Sequence, residues 1–220
     1  MSRLTSDTSE QIRLLCLDEH AIVLAGLVAL LNAQPDMRVV GSATTGHHGI
    51  EEFRSVRPDV TLMDLRFRDM SGIDAIAAIR RESPDARIVV LTMFEGDVDA
   101  QRALDAGAQG YLFKSMRQHD LFDTVRAVHS GTACVPPDIA ARIAAYQGYE
   151  VLTLRELDVL QRVADGGHNA EIATQLGIKD ETVKAHIRTI LGKLGAHSRA
   201  HAVTIAIRRG FISTWSPSTT

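Results

Sequence analysis

Cysteine is nearly absent from this chain of 220 residues: there are two, Cys16 and Cys134. Two cannot build a disulfide framework, and Cys16 lies inside an apolar run, so a reducing setting fits the composition. Long hydrophobic runs are also missing. The longest, Ala21 to Leu31, falls well short of the roughly 20 apolar residues that span a bilayer. The first residues, MSRLTSDTSEQ, hold no apolar signal core, which argues against export. These absences predict a cytoplasmic protein that does not engage a membrane. No GxGxxG follows the first strand-like run, which continues LCLDEHAIVLAG, and this argues against a dinucleotide site. The chain has neither an internal repeat nor a low-complexity tract. His47, His48, His168, His197 and His201 lack companion Cys or acidic residues at ligand spacing, which argues against a metal site on them. His186 reads as packing beside an apolar stripe.

What is present is an ordinary globular composition, 45% hydrophobic and 23% charged, with length for one large domain or two small ones. The net charge of −3 is unevenly spread. Residues 150–220 hold nine Lys and Arg against seven Asp and Glu, and the rest holds fifteen against twenty. A mildly basic C-terminal part beside an acidic N-terminal part points weakly to nucleic acid at one end.

From Ile12 to Ser130 short β-rich runs alternate with amphipathic stretches. The runs are 12–17, 38–43, 59–63, 87–92 and 110–113. The first amphipathic stretch carries Val23, Leu24, Leu27, Leu30 and Leu31 at helical spacing. Others fall near 45–56, 72–82, 97–106 and 117–130. Five strand–helix units predict an α/β fold, a parallel sheet with helices on both faces, in the flavodoxin-like order 2-1-3-4-5. Gly131 and Pro136-Pro137 then break the pattern. An Ala-rich helix is expected from Asp138 to about Gly148. From Thr153 onward the chain reads as helices only, and the tail after Ile212 reads as frayed. The domains expected are 12–130, a linker 131–149, and an all-α four-helix domain 150–213.

In an open parallel sheet ligands bind beyond the carboxyl ends of the strands. The first strand delivers Asp18 and Glu19 there, the third Asp64, the fourth Thr92 and the fifth Lys114. Carboxylates packed together repel, and a hard divalent cation relieves them. Asp18 and Asp64 are the expected Mg2+ ligands, with Glu19 acting directly or through water. An Asp carboxylate can attack phosphorus to form an acyl phosphate. Lys114 and Thr92 can bind the phosphoryl oxygens. Taken singly, each of these residues is as easily a turn acid, a cap or a surface charge.

The C-terminal pattern begins with TLRE at 153–156, a capping box in which Thr153 caps and Glu156 reaches back. Leu157, Val159, Leu160 and Val163 mark its buried side, and Gly166-Gly167 end it. A second helix is expected near Ala170 to Leu176, stopped by Gly177. A third runs from about Asp180 to Leu194, with Val183, Ile187, Ile190, Leu191 and Leu194 inward and Lys184, Ala185, Arg188 and Thr189 outward. This is the pattern of a helix-turn-helix, and equally of a small bundle with solvated charges.

Residues 12–130 resemble the receiver domain of bacterial two-component response regulators, on the strings LCLDEH, DVTLMDLRFRDMSG, IVVLT and ALDAGAQGYLFK. The resemblance implies that Asp64 is the phosphoacceptor and that Asp18 and Glu19 hold Mg2+. It implies that the Arg66 carbonyl completes the metal site, and that Thr92 and Tyr111 form a switch pair. One departure is plain: Phe67-Arg68-Asp69 stands where the family often has Met-Pro-Gly. Residues from Leu152 to Val203 resemble the LuxR-type helix-turn-helix of the NarL/FixJ class, on ETVKAH followed by KLG. That implies a recognition helix in the major groove, with Lys184, Ala185 and Arg188 near base edges. Thr182, Lys193 and Arg199 become candidates for phosphate contacts. His168, Ala170 and Lys179 replace a usual Ser, Lys and capping Ser. On the last helix, about 199–209, Val203, Ala206 and Ile207 face either a second subunit or their own domain.

The whole pattern reads as a DNA-binding transcriptional regulator, phosphorylated on Asp64 by a partner histidine kinase with Mg2+. It is expected not to be an enzyme with a separate substrate. As a phosphorylated homodimer it would bind paired half-sites on double-stranded DNA, with RNA polymerase as a further candidate partner. The rivals are a constitutive DNA-binding regulator whose receiver only dimerises, and a metal-dependent phosphotransfer enzyme acting on small molecules.

Overall fold

The computed structural model describes residues 11–93, 96–146 and 152–212. The expected domain limits at 150 and 213, the helix end near Gly148 and the frayed tail lie outside the described residues. The elements, in chain order, are β1 (Ile12–Leu17), α1 (Ala21–Asn32), β2 (Met37–Ala43), α2 (Gly46–Val56), β3 (Val60–Met63), α3 (Gly72–Glu82), β4 (Ile88–Thr92), α4 (Asp97–Asp105), β5 (Gly110–Phe113), α5 (Gln118–His129), α6 (Pro137–Tyr146), α7 (Leu154–Ala164), α8 (Asn169–Leu176), α9 (Asp180–Leu194) and α10 (Arg199–Arg209). By contacts the chain divides into two compact units, residues 1–93 with 102–136 and residues 94–101 with 137–220.

In the first unit the strands pair in the order β2-β1-β3-β4-β5, all in parallel. β3 and β4 are buried at every residue and β1 at every residue but one, as expected where helices cover both faces. One face packs Leu14, Cys16, Leu62 and Val89 against Leu24, Leu27 and Leu31 of α1 and Leu121, Val125 and Val128 of α5. On the other face α2 packs on β1, β2 and α3. Burial raises the Cys16 thiol far above its ordinary range, so it serves as a core residue.

The apolar stripe on α1 differs from the sequence expectation. Leu24, Leu27 and Leu31 are buried, but Val23 is 39% exposed and Ile22 89%, and Leu30 is half-buried. A helix with no charged residue gives periodicity no polar face to mark its boundary.

The register sets out the strand ends in a row. Leu17 pairs with Met63, and Thr92 with Phe113, so Asp18, Asp64 and Lys114 each follow the last paired residue of their strand. Gly72 is where the next loop folds back: a Cβ there would lie 2.3 Å from the Asp64 carbonyl oxygen. Only glycine allows that approach.

In the second unit α7 to α10 enclose Val159, Leu160, Ile172, Val183, Ile190, Ala202 and Ala206. The capping box at α7 is formed: Thr153 N donates to Glu156 Oε2 at 2.7 Å, and Glu156 N to Thr153 Oγ1 at 3.2 Å. α8 and α9 end on Gly177 and Gly195, both left-handed with φ of 63° and 60°, the usual C-terminal stop. Among the described residues no helix is long and apolar enough to cross a membrane.

Candidate functional site

The carboxyl edge of the sheet gathers three buried charges. The Lys114 ammonium bridges Asp18 Oδ2 at 2.6 Å and Asp64 Oδ2 at 2.5 Å. Asp18, Asp64 and the Lys114 side chain are 1%, 4% and 6% exposed. β1, β3 and β5 supply one each, from positions 46 to 96 residues apart in the chain. Burial pushes the Asp64 carboxyl above its ordinary range; the Lys114 hydrogen bond and charge offset this in part, and the Asp18 charge adds to it. The second Asp64 oxygen, Oδ1, accepts from the Leu65 amide at 2.7 Å. One oxygen is thus held by the backbone and the other faces Lys114.

Asp18, His20 and Asp64 each bring a ligand atom to within 4.8 Å of the others. Two carboxylates with an adjacent imidazole form a donor set that fits a divalent cation, and the oxygens suit Mg2+. The sequence pointed to three carboxylates here. Glu19, at a bend just after β1, is half-buried and outside this group. His20 was not foreseen. It directly precedes α1, its amide donates to Asp18 Oδ1 at 2.9 Å, and its Nδ1 lies 3.4 Å from the same oxygen. Its place two residues after Asp18 was the available signal.

Thr92 is fully buried at the end of β4, and its carbonyl accepts from the Lys114 amide at 2.8 Å. Tyr111 is fully buried in β5 and meets Phe113 edge-on at 5.8 Å. Arg66 forms an antiparallel bridge with Ser71, closing the loop after Asp64 into a tight return. Ser71 caps α3, accepting from the Ile73 amide at 3.2 Å.

That loop is tied to a second element by Asp69. Its Oδ1 accepts from Gly46 N at 2.9 Å, and its Oδ2 from His47 N at 2.9 Å. His47 Nδ1 lies 2.7 Å from Oδ2. Burial pushes this carboxyl up, but hydrogen bonds from the His47 and Gly46 amides and the His47 ring outweigh it and hold it at about 2.

In the second unit α9 presents Thr182, Lys184, Ala185 and Arg188 to solvent. Lys184 is held by acids of its own helix, 2.8 Å from Asp180 Oδ2 and 2.8 Å from Glu181 Oε1. Those hydrogen bonds, Asp180 first, raise its pKa. Arg188 is exposed and, among the described residues, has no hydrogen-bond or ion-pair partner. Two phosphate candidates are engaged inside the domain. Lys193 pairs with Glu156 at 2.9 Å, with side chains 13% and 6% exposed, so a phosphate contact would require that pair to open. Burial pushes the Glu156 carboxyl up, but hydrogen bonds from Thr153 and Lys193 hold it below its usual range. Arg199 donates to the Asn169 side-chain oxygen. Of the three dimerisation candidates, Ala206 is fully buried in its own core, and Val203 and Ile207 are half-buried against that core. Lys179 precedes α9 without a side-chain cap.

Comparison with known proteins also finds two parts, divided in sequence order. Residues 14–126 match the response regulator receiver domain, and residues 150–206 match the bacterial regulatory proteins of the luxR family. The response regulator protein VraR of Staphylococcus aureus is 34% identical over 206 residues, covering 91% of this chain and 99% of the relative. Among solved structures, the response regulator ChrA of a heme-sensing two-component system is 30% identical, with a TM-score of 0.55 over 92% of this chain and 99% of that one. RcsB of Salmonella enterica serovar Typhimurium, bound to a promoter in the presence of phosphomimetic BeF3-, is 25% identical, with a TM-score of 0.63 over 89% of this chain and 98% of that one.

Proposed function

The chain belongs to the response regulators that join a receiver domain to a LuxR-type DNA-binding domain, and from that premise we propose that a partner histidine kinase phosphorylates Asp64. The observation that carries this is the convergence of Asp18, Asp64 and Lys114 within 2.6 Å contacts at the sheet edge. An Asp64 oxygen attacks the phosphorus of the kinase's phosphohistidine. The new O–P bond forms as the P–N bond breaks, and the leaving imidazole takes up a proton.

The Leu65 amide keeps Oδ1 fixed, which leaves Oδ2 as the attacking oxygen. Lys114, released from that oxygen, follows the charge onto the phosphoryl group. Thr92, at the end of the neighbouring strand, donates its hydroxyl to the same group. Asp18, Asp64 and His20 would hold Mg2+, with the Arg66 carbonyl and Glu19 completing its surroundings. The bound ion would cancel negative charge on the phosphoryl oxygens.

The group is acquired on the protein's own residue and lost to water, so no separate substrate is involved. Occupancy of Asp64 biases a two-state equilibrium. The phosphorylated form pairs as a homodimer on two DNA half-sites, with α9 in the major groove and Arg188 as the principal base reader, and acts on RNA polymerase. Promoter-bound RcsB, a relative of the same two-domain build, supports the DNA half of this reading. The setting is the cytoplasm.

The test is whole-protein mass after exposure to a small acyl-phosphate donor, with and without Mg2+. One added phosphoryl group should form with the metal only, and none on Asp64→Ala. An adduct on Asp64→Ala, or none on the native chain with Mg2+, would overturn the proposal.

A further inference from the structure

The loop after Asp64 carries Phe67-Arg68-Asp69, and the last of these has a structural use. Asp69 takes both amides at the start of α2, Gly46 N and His47 N, each at 2.9 Å, and the His47 ring at 2.7 Å. Thr45 takes the third, from His48 N at 3.3 Å. A helix start leaves its first amides without intrahelical partners. Here two of them are satisfied by a residue 22 or 23 positions away. The packing agrees: a Cβ on Gly46 would lie 2.3 Å from Met70 Cγ, so the loop rests directly on the helix end.

The same loop returns through the Arg66–Ser71 bridge and a hydrogen bond from Gly72 N to the Leu65 carbonyl at 2.9 Å. Leu65 in turn donates its amide to Asp64 Oδ1 at 2.7 Å. A continuous set of short contacts therefore runs from α2 through the loop to the acceptor carboxylate.

We propose that Asp69 is a positioning residue of the acceptor site: by clamping the 65–71 loop to the start of α2 it holds the Leu65 amide on Asp64 Oδ1 and so aims the other Asp64 oxygen at Lys114 and the incoming phosphoryl group. This rests on Asp64 being the acceptor. His47 is the second jaw of the clamp. Its ring adds one hydrogen bond, and its loss leaves both backbone bonds in place. Asp69→Ala removes all three. Asp69→Asn keeps an acceptor oxygen for one amide but turns an NH2 group toward the other. Thr45→Ala weakens the same helix start without touching the loop, and serves as the purely structural control.

Three readouts on the full chain separate positioning from stability. Amide hydrogen exchange at 65–72 needs neither metal nor donor. Mg2+ affinity is followed by amide NMR shifts. The acyl-phosphate reaction is resolved into its saturating rate and its donor dependence. Asp69→Ala should speed exchange in the loop, weaken Mg2+ about tenfold and lower the saturating rate by roughly tenfold with little change in donor dependence. Asp69→Asn should recover part of each, and His47→Ala should change each by about twofold. Thr45→Ala should lower thermal stability and leave Mg2+ affinity and rate unchanged. Should Asp69→Ala fail to fold, the Asn and His47 variants carry the same ordering. Native exchange and native Mg2+ affinity in the Asp69 variants, or equal losses in Thr45→Ala, would overturn the clamp. A native chain that binds Mg2+ but never takes the phosphoryl group would refute Asp64 as acceptor, and loop exchange would still decide whether the clamp exists.

Discussion

Two lysines in this protein each hold two carboxylates, and they do so by opposite means. Lys114 joins Asp18 and Asp64 across three strands, with all three side chains at most 6% exposed. Lys184 joins Asp180 and Glu181 on its own helix, at the i−4 and i−3 positions, with its side chain 49% exposed. In the first case the fold forces the charges together where water cannot screen them. In the second the helix merely spaces them as neighbours, and water screens them. A chemical site needs the first arrangement, because the uncancelled negative charge is held where a divalent cation can bind, and the cation and Lys114 together can then receive a phosphoryl group. A DNA-reading surface needs the second, since its cations must exchange local acids for DNA groups at little cost.

The largest effect that would sharpen this contrast is expected at Lys114. Lys114→Ala leaves two buried carboxylates facing one another, and the loss should be about 3–5 kcal/mol in urea unfolding with the metal chelated. Millimolar Mg2+ should restore much of it, as the two acids regain a counter-ion. If the loss is small, or Mg2+ restores nothing, the two carboxylates at the sheet edge do not depend on a counter-ion.

Next in size is Arg188, exposed on α9 with no partner among the described residues. Arg188→Ala should weaken binding to a DNA fragment selected from a random pool by about 1–3 kcal/mol, with unfolding midpoint unchanged. Fluorescence anisotropy measures the first and thermal melting the second. A stability loss without a DNA effect would reverse the assignment.

Asp64 gives a smaller effect with a defined pH dependence. Burial raises its folded pKa above the unfolded value. The folded state therefore keeps this proton to higher pH, and stability is lost as pH rises through the raised pKa. Asp64→Asn removes that loss. The variant should melt a few degrees higher than the native chain at pH 7 without metal. The gap should shrink as pH falls below the ordinary carboxyl range. Asp69 runs the other way: its folded pKa is depressed to about 2, so its contribution is present above the unfolded pKa near about 4 and disappears as pH falls through 2.

The smallest effect belongs to Lys184. Lys184→Ala should leave the melting temperature within error, because its partners are neighbours on a solvated helix. A large shift would mean that local pairs and buried triads are not different in kind here.

The strand ends were legible in the sequence because a buried parallel strand that stops on an acid, a hydroxyl or an amine advertises where the sheet's functional edge lies. The flavodoxin-like order, the four C-terminal helices and the α7 capping box were legible for similar reasons, each being a short-range pattern with few alternatives. What stayed hidden depends on contacts between distant or uncharged positions. Nothing in the sequence spacing couples Asp69 to His47, or Lys193 to Glu156, 37 residues apart. His20 drew no reading from the sequence, and its nearness to Asp64 appears only once β1 and β3 pair. On α1 the uninterrupted apolar sequence concealed which side faces water.

The most direct measurement is peptide mapping of the full chain after reaction with a small acyl-phosphate donor in Mg2+, compared with Asp18→Asn treated identically. The convergence of the three charges predicts a single phosphoryl group, on the peptide containing Asp64, not formed when the metal is chelated beforehand and strongly reduced in Asp18→Asn. A phosphoryl group on any other peptide, or one formed equally well without metal, would contradict it.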